Sequence, residues 1–408
     1  MIYRSDFEKK KYKKQIIMRI FSADDFIKLI REDIVPLSFD EFCGTKQLSI
    51  LWDKLQPDDI RVTTLKNKEA FYEYCYNFLL DDEPLIEYFK QRLEYKISGN
   101  TYKDIRSVTS LPVIDKDIQH SSNNTRVIRN IHLDSMLNCT PTSGENLKTA
   151  YKIGLETGKV PDFITVPSVF GTVYYKEYKP FVVTAKTRSG QVSVFSPSIY
   201  KTLLQQTDKY INVEKQKLLI PSASWSSPIL ATVSSDNYSD IHIVDVQCKV
   251  LDVTKELFNY VHSRRLFDSP YELETFCVPS EKMSSVLPEK YDKIFFCPPY
   301  FDLEVYAGEN QSTTLYNDYD TWLDKYWRQT VIESDNVLKK DGVFSFVIGA
   351  VIAGIPLASD MLNIAEEKFN LVDTYRILPR TESTRISNQL DEEGNSNKFE
   401  LCYIMKKY

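Results

Sequence analysis

Apolar positions follow two different rhythms along this chain. From about Ile16 to Arg106 they recur at helical spacing: Phe26, Leu29 and Ile30, then Phe71, Tyr74, Cys75 and Phe78, then Ile86, Phe89 and Leu93. Asp81-Asp82-Glu83-Pro84 has the acidic residues and early proline of a helix start, which suit the positive end of a helix dipole. Residues 1–120 are therefore expected to form a mostly helical N-terminal region, suited to contacting a target or a protein partner.

Residues 121–190 predict a mixed α/β or β connector. His120-Ser-Ser-Asn-Asn-Thr125 is a run of polar breakers. Between Pro161 and Pro180, Tyr174, Tyr175 and Tyr178 surround Lys176 and Lys179. A tyrosine-rich hairpin with solvated lysines is the expected structure; stacking on a nucleic-acid strand is the alternative.

Beyond residue 190 short apolar runs alternate with amphipathic stretches, the mark of a parallel α/β sheet. Strands are predicted at Leu218–Ile220, Ile241–Asp245, Leu273–Cys277, Lys293–Phe296, Val343–Ile348, Leu371–Ile377 and Phe399–Met405. Helices are predicted at Pro228–Ser234, Val253–His262, Tyr319–Leu338 and Ser359–Phe369, with Lys339-Lys340-Asp341-Gly342 as a helix stop. Residues 191–408 thus read as a Rossmann-like, doubly wound seven-stranded sheet, its last two strands a hairpin joined by the polar loop Ser387–Lys398.

A chain of 408 residues, 42% hydrophobic, suffices for two or three packed domains. No run approaches the roughly 18 apolar residues of a membrane span, and the polar start Met-Ile-Tyr-Arg-Ser-Asp is unlike a secretory signal. An intracellular location, cytoplasmic or nuclear, is expected, with no membrane contact. Seven scattered cysteines and four histidines that do not cluster with them predict neither a disulfide framework nor a metal site. The net charge of −6 confines any nucleic-acid surface to a local patch. Lys9, Lys10, Lys11, Lys13 and Lys14, beside Arg4 and Tyr12, form either a basic arm for phosphates or a solvated tail.

The chemistry is signalled at Asp292–Tyr300, where a buried-strand pattern stops at Cys297-Pro298-Pro299-Tyr300. Ligands in open α/β sheets bind at the carboxyl ends of such strands. With the strand order and its neighbours, this loop resembles that of class I S-adenosylmethionine-dependent methyltransferases, and more narrowly of DNA amino-methyltransferases acting on adenine N6 or cytosine N4. The resemblance spans about Phe195 to Tyr408. It implies S-adenosylmethionine as cofactor and DNA as partner, RNA being the lesser alternative.

The resemblance also assigns roles. Phe195-Ser196-Pro197 matches a segment that packs on the methionine part of the cofactor, and Pro221, Ser222 and Ser224 lie in the loop after the first strand. Asp245, at the tip of the second strand, would hold the ribose hydroxyls, and Ser280 and Glu281 lie in an adenine-contacting turn. Phe301–Tyr306 and Glu309–Ser312 resemble the stretch after the motif. An amino nitrogen conjugated to a base ring is a poor nucleophile. Acceptors on its N–H bonds, the Pro298 carbonyl and the side chain at 297, would free its lone pair, while the Tyr300 ring stacks on a flipped-out base.

Ile220, Ser224 and Ser226 stand where the family carries an aspartate and glycines, and Cys297 stands where it has Asp, Asn or Ser. Serine suits the tight loop only if its φ stays negative, and a thiol is a weak acceptor. These departures leave a second reading: a catalytically inactive methyltransferase fold that binds nucleic acid or serves as a regulatory or structural subunit. Cys297 as the nucleophile of a cytosine C5 methyltransferase is a third, with the cysteine on the wrong side of the prolines.

Overall fold

The computed structural model describes residues 18–45, 49, 67–95, 108–121, 124–142, 144–157, 191–233, 235, 237–262, 271–288, 290–308, 310–349, 354–378 and 399–407. The lysine-rich start, the tyrosine-rich segment Pro161–Pro180, the loop Ser387–Lys398 and Glu309 lie outside the described residues.

Among the described residues, nine strands form one sheet: β1 (Val113–Ile114), β2 (Asp117–Gln119), β3 (Gln216–Ile220), β4 (Tyr238–Asp245), β5 (Glu272–Cys277), β6 (Tyr291–Phe296), β7 (Leu338–Gly349), β8 (Phe369–Leu378) and β9 (Glu400–Lys407). Their order across the sheet is β1-β2-β8-β9-β7-β6-β3-β4-β5. From β3 to β7 all pairings are parallel, whereas β9 runs antiparallel to both β7 and β8. This is the expected doubly wound sheet with an antiparallel last strand. The seven expected strands are extended by two short ones, because Val113–Gln119 folds as a hairpin whose second strand pairs with β8.

Side-chain alternation shows why the central strands read as continuous apolar runs. Ile294 and Phe296 of β6 join one core, with Leu219, Phe344 and Phe346, while Phe295 joins the other, with Leu218, Ile220 and Val343. Helices Pro197–Asp208, Ser227–Thr232 and Cys248–His262 cover the second face, and Gln329–Val337 and Leu357–Ala365 cover the first. With both faces buried, neither alternates with water. Lys293 is nevertheless fully buried within β6. Its ammonium pairs with Asp208, donates to the Leu204 carbonyl at 3.2 Å and sits 5.5 Å from the Tyr238 ring centroid.

The predicted helix at Tyr319–Leu338 is present as Tyr319–Trp322, a π-helical turn Leu323–Arg328 and Gln329–Val337. Its stop differs from expectation. Leu338 already pairs with Tyr291, and after an irregularity in register Val343 pairs with Lys293, so the Lys-Lys-Asp-Gly segment is a kink inside β7. Asp341, not Gly342, takes the left-handed conformation there, at φ 62°.

The N-terminal helices have a core of their own. Phe26, Ile30, Phe71, Leu85 and Phe89 pack with Leu133, Leu147, Tyr151 and Leu155, so this core draws on residues beyond 120. Helix Ala23–Arg31 opens on a capping box: Ser22 Oγ accepts from the Asp25 N–H at 3.1 Å, and the Asp25 carboxylate accepts from the Ser22 N–H at 3.0 Å. Among the described residues, no helix is long and apolar enough to cross a membrane.

The cysteine reading needs one correction. Cys248 and Cys277 form a disulfide, with Cα atoms 5.2 Å apart. Sequence spacing hid it because the two lie 29 positions apart. Parallel pairing puts Cys277 opposite Asp245, three residues before Cys248.

Candidate active site

β3 and β6 are neighbours, yet the chain leaves them in opposite directions, to β4 and to β7. This is the switch point where doubly wound sheets open a crevice at their carboxyl ends. A cavity of about 500 Å³ lies there, within the usual range of roughly 300–1,000 Å³ for small-molecule sites. At one end are Pro221, Ser222 and Ser224 after β3, Asp245 after β4, and Ser280 and Glu281 after β5. At the other are Cys297, Pro298, Pro299 and Tyr300 after β6. Phe195 also lines the wall. Ser196 and Pro197 do not: both are buried at the start of helix Pro197–Asp208.

The turn after β3 corrects the expectation of negative φ. Ser224, Trp225 and Ser226 are all left-handed, at φ 44°, 54° and 65°. Side-chain-bearing residues pay roughly 1–2 kcal/mol each in that region. The surrounding contacts offset this. The Ala223 N–H donates to Asp245 Oδ2 at 2.9 Å, and Ser226 Oγ lies 2.8 Å from His132 Nε2 and 2.7 Å from Thr254 Oγ1. Trp225 sits edge-on to both His132 and Tyr306. Its indole lines the cavity without filling it.

Asp245 serves two purposes. Its Oδ2 fastens this turn, and its Oδ1 accepts from the Gln247 N–H at 2.8 Å. Burial raises its carboxyl above the ordinary range, against the lowering effect of these backbone donors. Glu281 is raised likewise by burial and accepts from the Tyr316 hydroxyl at 3.3 Å.

At the opposite end, the Tyr300 hydroxyl donates to Glu400 Oε1 at 2.7 Å, and the Cys297 thiol donates to Tyr300 Oη at 3.6 Å. Burial pushes the Cys297 thiol far up, and the charge of Glu400 adds to it. The thiolate a nucleophilic cysteine needs is therefore strongly disfavoured. Pattern reasoning missed Glu400, Glu304, Tyr326 and His120. Glu304 lies in the stretch 301–306, which the resemblance covers without giving that residue a role; the others lie in stretches read only for secondary structure, and a charged residue at the start of an otherwise apolar strand is the available signal for Glu400.

Four carboxylates, Asp245, Glu281, Glu304 and Glu400, line the cavity, and no Lys or Arg does among the described residues. A dinucleotide would bring its pyrophosphate into that negative field, whereas a cation or a neutral amine donor suits it.

No protein-family model and no curated protein sequence matches the chain. Solved structures similar to it include the N-methyltransferase NodS from Bradyrhizobium japonicum WM9, at 10% identity over 51% of this chain and 93% of that one, with TM-score 0.33. TrmN from Thermus thermophilus gives 11% identity over 57% and 68%, with TM-score 0.34. An rRNA methylase from Streptococcus thermophilus gives 10% over 50% and 95%, with TM-score 0.31. At such values these likenesses carry nothing about substrate, and the site must be read from its own residues.

Proposed function

We propose that this chain is an S-adenosylmethionine-dependent methyltransferase acting on an exocyclic amino group of a DNA base, adenine N6 or cytosine N4, that is flipped into the Cys297–Tyr300 end of the cavity. One observation carries the reading. A single cavity joins the Asp245 turn to the Pro-Pro-Tyr loop, with carboxylates at both ends and, among the described residues, no Lys or Arg on its wall.

The residues present fit the cofactor. Asp245 would hold the ribose hydroxyls with the lone pairs its backbone bonds leave free, Ser280 and Glu281 would flank the adenine, and Phe195 the methionine part. Carboxylates near a sulfonium are favourable by charge alone. When bound, the cofactor supplies an electrophilic methyl group. The chain's own contribution is positioning: Pro298 offers a backbone carbonyl to the amino group, and the Tyr300 ring, held by Glu400, stacks on the base. DNA phosphates would lie outside this negative cavity. The N-terminal helices are the proposed surface for a target or protein partner.

A second reading, an inactive binding subunit, rests on Cys297, on Ile220 in place of the aspartate and on the missing glycines. The left-handed turn forms without them, which weakens that objection. Calorimetric titration with S-adenosylmethionine, then methyl transfer to unmodified DNA, tests the proposal. Saturable binding and transfer abolished by Tyr300→Ala are expected; no binding at millimolar cofactor would overturn it.

A further inference from the structure

The cavity's carboxylates are not equally occupied. Both oxygens of Glu304 are engaged: Oε1 accepts from the Ser193 N–H at 2.7 Å and the Thr142 hydroxyl at 3.1 Å, and Oε2 from the Tyr306 hydroxyl at 3.0 Å. Asp245 takes a backbone N–H on each oxygen. Glu281, among the residues after β5, takes the Tyr316 hydroxyl, and Glu400, beside the Cys297 loop, takes only the Tyr300 hydroxyl, on Oε1. Its second oxygen has no protein partner among the described residues.

The other side chains of that end are poor acceptors. The Cys297 thiol spends its proton on Tyr300 Oη, and a thiol sulfur accepts only weakly. The Tyr300 hydroxyl spends its own proton on Glu400. An amino group entering beside Pro298 brings two N–H bonds, of which one backbone carbonyl satisfies a single one. The strongest acceptor left on this wall is on β9, 100 residues along the chain from Tyr300.

We infer that Glu400 is a catalytic residue: its unpaired oxygen accepts the second N–H of the substrate's amino group and takes the surplus proton after transfer. The inference rests on the proposed function. In the step, the nitrogen lone pair forms the new N–C bond as the methyl C–S bond breaks, and that bonding pair remains on sulfur. The proton lost from nitrogen goes to the Glu400 carboxylate and then to solvent. The Tyr300 hydroxyl holds the carboxylate in place throughout.

Glu400→Gln keeps the side chain's shape and removes its basicity. Single-turnover methyl transfer to unmodified DNA is expected to slow by roughly 10²–10⁴-fold, the usual worth of a positioned base, with cofactor Kd and thermal midpoint unchanged. Adding Cys297→Asp, which places a carboxylate on the same wall, should restore at least tenfold of the rate. Transfer by Glu400→Gln at the wild-type rate would overturn the inference, as would a loss matched by weakened cofactor binding or one that Cys297→Asp does not rescue. A wild-type chain that binds no S-adenosylmethionine would instead overturn the proposed function, an outcome read by titration before any variant is made.

Discussion

His132 Nε2 lies 2.8 Å from Ser226 Oγ, so the strained turn beside Asp245 is braced by a side chain 94 positions earlier in the chain. The imidazole is fully buried, and burial lowers its pKa from 6.5 to about 3, with Asp134 opposing. It folds neutral. Between those two values the unfolded chain carries a proton that the folded one does not, so acidification favours unfolding.

That difference predicts a pH signature. Wild-type stability should carry a component that falls by about 1.4 kcal/mol per pH unit from pH 6 to pH 4. His132→Asn removes this component. Urea unfolding of both proteins across that range should show the gap between them shrinking as pH falls; a gap independent of pH contradicts the assignment.

Ser224 tests the turn itself. At φ 44°, Ser224→Gly relieves backbone strain and should change stability by less than about 1 kcal/mol, the relief being set against glycine's greater unfolded-state entropy. Ser224→Val places a β-branched side chain in the left-handed region and should cost about 1–2 kcal/mol or more. Equal midpoints for the two variants in denaturant would show that the turn is not left-handed in solution.

Asp245 fastens the Ala223 and Gln247 N–H groups while lining the cavity. Removing a charged acceptor typically loses about 1.5–3 kcal/mol, so Asp245→Ala should weaken S-adenosylmethionine binding by roughly 10–100-fold. Asp245→Asn keeps one acceptor oxygen and should lose less. Calorimetry that finds both variants at wild-type affinity removes Asp245 from the cofactor site.

Lys293, fully buried, pairs with the half-buried Asp208. Desolvation lowers the Lys293 pKa, and Asp208 opposes that shift. Asp208→Ala strands a buried cation and should destabilise by about 3–5 kcal/mol, whereas Lys293→Met with Asp208→Asn should be close to neutral. Denaturant midpoints for the two proteins check this, and similar losses in both would refute it.

Much of the sheet could be read from the chain because burial on both faces leaves a local trace. β6 ends in the apolar residues 294–296 and β7 carries the apolar residues 346–348, and the long helix from Tyr319 declares its period. Lys293 broke the β6 run without breaking the strand, since its partner Asp208 comes from a helix the local pattern does not contain. The hairpin at Val113–Gln119 left little trace because two- and three-residue strands are too short to show alternation.

The sequence by itself determined the doubly wound sheet, since strand period and turn residues act within a few positions, and its family resemblance named Asp245 and Pro298–Tyr300 as candidates at the strand ends. Only the tertiary structure decided which distant groups complete the site. Glu400 meets Tyr300 because β9 inserts between β7 and β8, Cys277 meets Cys248 because β5 runs beside β4, and His132 reaches Ser226 from outside the sheet. Hydrogen bonds and disulfides act over a few ångströms of space whatever the separation along the chain. The partners of this cavity therefore appear only once the strand order is in place.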